Sequence, residues 1–151
     1  MIKLKIEHIM SKNLVVLDIN SDIYEISKIM KEKDIGFIPI NEGSKIVGVL
    51  TDRDIAVKIV SNKDTKIKDY ITRDIVKINI NNSIEEAINL MGTNKVKRLL
   101  VENNNKLVGI LSLSDIINNL DSELVINNIQ KIFTIYRNTD LYLTKINEFE
   151  M

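Results

Sequence analysis

Residues 48–54 read Gly48-Val49-Leu50-Thr51-Asp52-Arg53-Asp54, and the same pattern returns as Gly109-Ile110-Leu111-Ser112-Leu113-Ser114-Asp115. The offset is 109 − 48 = 61 positions, and it aligns the flanking residues without a gap, from Lys5 with Lys66 to Ile55 with Ile116. Two copies are too few for a solenoid, and the period is longer than most solenoid units. The sequence therefore predicts a duplicated small α/β unit.

Each copy has the same order of predicted elements: strand, helix, strand, strand, helix. A β-rich stretch (14–17, and 75–78 in the second copy) precedes a helix with capping-box spacing at its start, Asp22 with Glu25 and Ser83 with Glu86. Two β-runs follow (37–40 and 45–50; 98–101 and 106–111), and the short turn-rich link between them is typical of a hairpin. The second helix begins near Thr51 or Ser112.

The predicted fold class is α/β (α+β), with two repeats related by a pseudo-twofold axis and a C-terminal helical extension. One unit alone leaves a sheet face uncovered, so we expect the repeats to pack through their sheets. We place repeat 1 at 1–62, repeat 2 at 63–120 and the extension, a helix and then a short extended segment, at 121–151. Apolar residues at 125, 129, 132, 133 and 136 have the spacing of one helix face. That face packs on its own module, on a dimer mate or on another protein.

The repeated stretch has a pattern that suits a phosphorylated, ribose-containing ligand. A strand runs through a hydroxyl residue into a helix, whose first N–H groups and positive dipole end suit a phosphate. An ionised Asp54 or Asp115 only accepts hydrogen bonds, and so can take them from ribose hydroxyls. The preceding glycine lets another backbone or a flat base come close. The alternative is structural, because Thr51 with Asp54 and Ser112 with Asp115 also have capping-box spacing.

Composition argues against several functional classes. The chain has 21 basic and 21 acidic residues, so no net positive field attracts nucleic acid or a membrane surface. It has no cysteine, which fits the cytoplasm, and no apolar run long enough to span a bilayer. His8 is the only histidine and has no acid or cysteine grouped around it, so we predict neither a metal site nor a catalytic triad. We therefore expect no enzyme activity and no required cofactor.

Over roughly residues 5–120 the chain resembles a tandem pair of CBS (cystathionine-β-synthase) domains, a Bateman module. Gly48 to Asp54 and Gly109 to Asp115 match the family's Gly-h-x-Thr/Ser-x-x-Asp motif at every defined position. The first copy, at 51–57, looks like stand-alone bacterial or archaeal CBS proteins. The second, at 112–116, resembles the last repeat of AMP-activated kinase gamma subunits.

The resemblance implies two ligand sites, in which the motif aspartate holds the ribose and apolar residues hold the base. By position, the first site would use Met10, Val15, Ile35, Gly36, Val49, Thr51 and Asp54. The second would use Ile71, Val76, Val96, Lys97, Ile110, Ser112 and Asp115. The family also places phosphate-binding side chains of one repeat in the site of the other. On that pattern Lys97, Arg98 and Ser114 would face the phosphates of the ligand on Asp54, and Arg53 those of the ligand on Asp115.

The two copies differ in ways that predict unequal sites. Gly36-Phe37 in the first copy aligns with Lys97-Arg98 in the second, and Ile38-Pro39-Ile40 aligns with Leu99-Leu100-Val101. We expect the Asp54 site to take a phosphorylated ligand, and the Asp115 site to take a less charged adenosyl compound or to stay empty. The alternative for Lys97-Arg98 is a solvated strand end.

The resemblance implies a regulatory module that senses AMP, ADP, ATP or a related adenosyl ligand. We expect a homodimer whose conformation changes on binding and is read by a separate, unidentified partner protein. The alternative is a scaffold that uses the CBS fold for dimerisation without a ligand. A small nucleotide-directed enzyme lacks a candidate base, and a nucleic-acid-binding regulator is disfavoured by the charge balance.

Overall fold

In the computed structural model, the structure describes residues 4–120 and residue 123. The elements in chain order are α1 (Ile6–Ile9), β1 (Leu17–Asp18), α2 (Ile23–Lys33), β2 (Phe37–Glu42), β3 (Lys45–Thr51), α3 (Asp52–Asp54), a π-helix (Ile55–Ile59), a 3₁₀ turn (Val60–Asn62), β4 (Lys77–Asn79), α4 (Ile84–Asn94), β5 (Arg98–Asn103), β6 (Lys106–Ser112) and α5 (Leu113–Asn119). The strand–helix–strand–strand–helix order is therefore confirmed in both copies. The predicted C-terminal helix and extended segment lie outside the described residues.

The chain divides into two compact units. The central unit spans 14–75, and the described part of the split unit joins 4–13 to 76–120. Each contains a three-stranded sheet, in the order β1-β2-β3 in the central unit and β4-β5-β6 in the split unit. In both sheets the first strand is parallel to the second, and the second is antiparallel to the third.

The registers of the two sheets match at the offset of the sequence repeat. Phe37 pairs with Thr51 in the central unit, and Arg98 pairs with Ser112 in the split unit. The register shift between Ile40 and Asn41 also recurs, between Val101 and Glu102. The duplication read from the sequence thus extends to individual strand pairs.

Pro39 explains why β1 is shorter than its counterpart. In the split unit, the N–H of Leu100 donates to the carbonyl of Val76 at 3.1 Å, which helps β4 begin at Lys77. Pro39 occupies the position equivalent to Leu100 and has no N–H to donate. Pairing of β1 with β2 therefore begins only at Leu17, later than the predicted stretch 14–17.

The helices that follow the first strand of each copy, α2 and α4, begin at their predicted caps. The Asp22 carboxylate accepts hydrogen bonds from Tyr24 N at 2.9 Å and Glu25 N at 3.0 Å. At the start of α4 the capping box is reciprocal: Glu86 N donates to Ser83 Oγ at 3.1 Å, and Ser83 N donates to Glu86 Oε2 at 2.7 Å. These bonds satisfy N–H groups that the first turn of a helix leaves without partners.

Each unit has its own apolar core, composed mainly of the inward faces of its helices and sheet. Met30 is buried in the central core and Met91 in the split core, as the helical spacing predicts. The remaining buried members of the central core are Ile19, Ile23, Ile26, Ile38, Ile40, Leu50, Ile55, Ile59, Ile67 and Ile71. Those of the split core are Ile6, Ile9, Met10, Ile78, Ile84, Ala87, Ile88, Leu99, Val101, Leu111, Leu113 and Ile116.

The second helix differs between the copies. In the split unit α5 is a regular α-helix, whereas in the central unit a π-helix follows α3 directly. Side chains then donate hydrogen bonds to backbone carbonyls near the end of the π-helix. Ser61 Oγ donates to Val57 O and Asn62 Nδ2 donates to Lys58 O, both at 2.6 Å. Within 4–120, the structure contains no helix with the length and apolar character needed to cross a bilayer.

The compact units do not coincide with the sequence repeats. Thr72 pairs with Val49, and Ser11 pairs with Ile110, each through an isolated antiparallel bridge. Each unit thus combines the core of one repeat with the segment that leads into the other. The predicted repeat boundary between 62 and 63 falls inside the central unit, because residues 63–75 pack with the first copy.

Candidate functional site

The Thr51–Asp54 turn, which we call the first corner, joins β3 to α3. Asp54 Oδ2 accepts hydrogen bonds from Thr51 N at 3.0 Å and Thr51 Oγ1 at 2.9 Å. Asp54 N donates in turn to Thr51 Oγ1 at 3.1 Å. The capping box named as the structural alternative is therefore present. It uses one carboxylate oxygen and leaves the other, Oδ1, to a different partner.

The Ser112–Asp115 turn, the second corner, has the same geometry in the split unit. Ser112 N donates to Asp115 Oδ2 at 2.8 Å, and Asp115 N donates to Ser112 Oγ at 3.0 Å. A carboxylate that accepts a backbone N–H is held in one orientation. Both corners thus present a fixed carboxylate at the end of a buried strand.

Lys58 is a site residue that the sequence analysis missed. Its Nζ lies 2.7 Å from Asp54 Oδ1, and the Asp54 side chain is only 12% exposed, against 50% for Lys58. Burial raises the pKa of Asp54, but hydrogen bonds from Lys58 and Thr51 outweigh it and leave that pKa below its usual value. Asp54 is therefore ionised at neutral pH and acts only as an acceptor. The (i, i+4) spacing of Asp54 and Lys58 is the signal that could have identified the pair.

The second corner has no such ion pair within the part of the chain that the structure describes. The position equivalent to Lys58 is Asn119, whose Nδ2 donates to the backbone carbonyl of Asp115 at 2.8 Å. Among the described residues no cation contacts the Asp115 carboxylate, and its Oδ1 accepts no hydrogen bond. The two corners therefore differ in which carboxylate oxygens are already bound.

The two glycines before the corners accommodate a crossing backbone segment. A Cβ placed on Gly48 would lie 2.9 Å from Thr72 O and 2.8 Å from Ile71 Cδ1. On Gly109 it would lie 3.0 Å from Ser11 O and 2.5 Å from Met10 Sδ. Hydrogen bonds of 2.9–3.0 Å in both directions hold each crossing segment to its strand. Of the two sequence explanations for these glycines, the structure supports the close approach of backbone.

The profile of the CBS domain matches this chain twice, at residues 6–61 and at 67–122. The chain belongs to the CBS-domain family. It is 32% identical over 118 residues to the CBS domain-containing protein YhcV of Bacillus subtilis, an alignment that covers 76% of this chain and 84% of that one. It is 33% identical over 108 residues to hypoxic response protein 1 of Mycobacterium tuberculosis, which covers 68% of this chain and 76% of that one.

Solved CBS pairs share the fold. One is the CBS domain pair of protein MJ0100, crystallised in complex with 5′-methylthioadenosine and S-adenosyl-L-methionine. It superposes with a TM-score of 0.70 at 25% sequence identity, and the match covers 77% of this chain and 94% of that one. The duplicated fold predicted from the sequence is thus shown by both family and structure.

Two predicted apolar residues do not pack in the unit that contains the aspartate of their predicted site. Met10 was grouped with Val49 and Asp54, but it packs in the split unit, against Gly109. Ile71 was grouped with Ile110 and Asp115, but it packs in the central unit, against Gly48. The cause is the path of the chain, because each leading segment crosses the β-strand of the other CBS repeat.

The other apolar candidates lie in the unit that the sequence predicted for them. Ile35 packs on the central core, while Val76 and Val96 pack on the split core. Val15 is partly buried in the stretch before β1, and Val49 and Ile110 are the strand residues that bond to the crossing segments.

Gly36 differs from its counterpart Lys97 for a local steric reason. A Cβ on Gly36 would lie 2.7 Å from Asp52 Oδ2, so glycine makes room for that carboxylate. In the second repeat Leu113 replaces Asp52, and its N–H bonds to Lys97 O at 2.8 Å, as Asp52 N bonds to Gly36 O at 3.1 Å. The backbone contact is shared, and only the side chains differ.

The predicted phosphate-binding side chains are all exposed. Arg53 lies in the central unit, and Lys97, Arg98 and Ser114 lie in the split unit. Arg98 stands opposite Ser112 in the β5–β6 pairing. Contacts of these side chains with a ligand held by the other repeat stay predictions.

His8 lies in α1 and its Nδ1 accepts a hydrogen bond from Lys5 N at 3.3 Å. Within residues 4–120 and residue 123, no three histidine or acidic residues are grouped as a metal site.

Proposed function

We propose that this CBS pair is a regulatory module that binds adenosine-containing ligands and passes their occupancy to a partner protein. The observation that carries the proposal is the pair of fixed carboxylates, Asp54 and Asp115, at equivalent corners of two repeats. The complex of the MJ0100 CBS pair with 5′-methylthioadenosine and S-adenosyl-L-methionine supports the ligand class. AMP, ADP, ATP and related adenosyl compounds are the candidates.

In the proposed site each carboxylate accepts hydrogen bonds from ribose hydroxyls through Oδ1, since Oδ2 is held by the cap. The base packs on apolar residues at the end of β3 or β6. From the contacts within each unit, we now assign Ile71 to the Asp54 site and Met10 to the Asp115 site. Val15, Ile35 and Val49 remain with the first site, and Val76, Val96 and Ile110 with the second.

The family resemblance adds the phosphate contacts. Lys97, Arg98 and Ser114 would bind the phosphates of a nucleotide on Asp54, and Arg53 those of a ligand on Asp115. We propose that binding shifts the equilibrium between two arrangements of a homodimer. A ligand can do so only through different affinities for the two arrangements.

The second candidate function is a dimerisation scaffold that binds no ligand. It is favoured by the observation that both motif carboxylates serve as helix caps, so their presence alone does not require a ligand. Exposed apolar side chains on the central unit also suit an interface: Tyr24 is 70% exposed, and Val57 and Val60 are each 53% exposed.

One experiment separates these two functions. Purified protein is denatured, and the released small molecules are identified by mass spectrometry. A thermal-shift panel of AMP, ATP, 5′-methylthioadenosine and S-adenosylmethionine follows on ligand-free protein. An adenosyl ligand that raises the Tm supports sensing, whereas an empty protein with no shift for any ligand supports the scaffold.

A further inference from the structure

The two carboxylates of the proposed sites differ in how many of their acceptor positions are filled. Asp54 Oδ2 accepts from both Thr51 N and Thr51 Oγ1, and Oδ1 is 2.7 Å from Lys58 Nζ. A carboxylate oxygen has about two lone-pair positions. A ribose that approaches Asp54 must therefore use Oδ1. Because Lys58 fills one of the two positions on that oxygen, a ribose that binds through both of its hydroxyls must take the position that Lys58 holds.

Among the described residues, one oxygen of Asp115 accepts no hydrogen bond. Its Oδ2 accepts from Ser112 N, and among residues 4–120 no donor lies on Oδ1. The equivalent of Lys58 is Asn119, which bonds to a backbone carbonyl one turn earlier instead of to the carboxylate. A ribose can thus bind Asp115 without displacing any side chain of residues 4–120.

We infer that Lys58 is an internal competitor for the ribose-binding oxygen of Asp54 and makes the first site selective for anionic adenosyl ligands. This inference rests on the proposed function. A ligand with a neutral 5′ group displaces Lys58 from Asp54 and gives it no new partner. A ligand with a phosphate offers the displaced ammonium an anion of opposite charge, which offsets the loss.

The geometry limits the size of the effect. Asp54 is nearly buried, but half of the Lys58 side chain is exposed, so solvent screens the pair. The strength of the Lys58–Asp54 interaction should therefore lie between that of an exposed ion pair and that of a buried charge-assisted hydrogen bond. We expect loss of the competitor to tighten binding of a neutral adenosyl ligand by about three- to tenfold.

The test compares two ligands that share adenosine and both ribose hydroxyls but differ in 5′ charge: 5′-methylthioadenosine, which is neutral, and AMP. Both are titrated calorimetrically into protein carrying Asp115→Ala, which removes the ribose acceptor of the second site. Lys58→Asn copies the residue of the second repeat, and Lys58→Arg keeps the charge. The third ligand is 2′,3′-dideoxyadenosine, which has no ribose hydroxyl to compete with Lys58.

Lys58→Asn should increase the affinity for 5′-methylthioadenosine about three- to tenfold and change the affinity for AMP by less than about twofold. Lys58→Arg should keep the wild-type preference for AMP, and 2′,3′-dideoxyadenosine should bind equally to all variants. The mirror variant Asn119→Lys, in an Asp54→Ala background, should weaken binding of 5′-methylthioadenosine at the second site.

A Lys58→Asn protein that is less stable, but binds both ligands with the wild-type ratio of affinities, overturns the inference and leaves Lys58 a structural role. The same ratio with tighter binding of both ligands also overturns it. Failure of the proposed function is distinct: neither ligand then binds the protein that retains both carboxylates, nor any Lys58 variant.

Discussion

Gly48→Ala tests the close approach of backbone that underlies the first site. The added methyl would lie 2.9 Å from Thr72 O and 2.8 Å from Ile71 Cδ1. The carbonyl cannot retreat freely, because Thr72 O accepts from Val49 N at 2.9 Å and Thr72 N donates to Val49 O at 2.9 Å. Relief of the clash therefore requires stretching this bridge or moving β3.

Overpacking of this kind costs about 1–3 kcal/mol. For a chain of this size each kcal/mol lowers the Tm by about 3 °C, so Gly48→Ala should lower it by about 3–10 °C. Gly109→Ala is the matched control. Its closest contact is Met10 Sδ, in a flexible side chain that can rotate away. Ser11 O is held by the same kind of hydrogen-bond pair as Thr72 O but lies farther from the added methyl, at 3.0 Å.

The assay is urea denaturation of wild type, Gly48→Ala and Gly109→Ala, with thermal melts alongside. We expect both variants to be destabilised, and Gly48→Ala to be destabilised more. A neutral Gly48→Ala, or a larger loss for Gly109→Ala, would refute the reasoning that a pinned carbonyl sets the requirement for glycine.

Three further predictions concern Asp54, the cationic pair Lys97-Arg98 and the assembly. The lowered pKa of Asp54 means that its ionised form stabilises the fold above the unfolded pKa, near about 4, so this contribution is lost as pH falls through the folded pKa. The free energy of unfolding of wild type should therefore fall between neutral and acidic pH by an amount that Asp54→Asn does not lose. Equal pH dependence of the two proteins would count against this prediction. The double variant Lys97→Ala with Arg98→Ala should weaken binding of AMP and ATP by about 1–3 kcal/mol per lost contact but scarcely affect binding of adenosine. Equal small losses of affinity for all three ligands would instead indicate a solvated strand end. Sedimentation at micromolar concentration should give about twice the chain mass of 17.3 kDa, and a monomer would contradict the proposed homodimer.

The sequence predicted the duplicated fold because its signals are local. Caps at Asp22 and Ser83, short hairpin links and the repeated corner each depend on residues a few positions apart. Their offset of 61 carries the strand order and even the register shifts from one copy to the other. Among the strands, only β1 and β4 differ in length, and Pro39 accounts for that difference.

The grouping of Met10 and Ile71 could not be predicted in the same way. It depends on the bridges from Ser11 to Ile110 and from Thr72 to Val49, which join residues distant along the chain. A single pair of hydrogen bonds leaves no periodic pattern in the sequence. The sequence also did not reveal the π-helix after Asp54, because residues 55–59 have the apolar spacing of an ordinary α-helix.

The central claim is that the corner carboxylates hold an adenosine ligand in addition to capping a helix. Its most direct test is calorimetric titration of AMP into wild type, Asp54→Ala and Asp69→Ala, the last being an exposed carboxylate on the same unit. Far-ultraviolet circular dichroism checks that each variant remains folded. The account predicts that Asp54→Ala weakens AMP binding by about 1.5–3 kcal/mol, roughly 13- to 160-fold, while Asp69→Ala binds AMP as wild type does. Unchanged affinity in a folded Asp54→Ala protein would contradict the account and leave Asp54 with its cap alone.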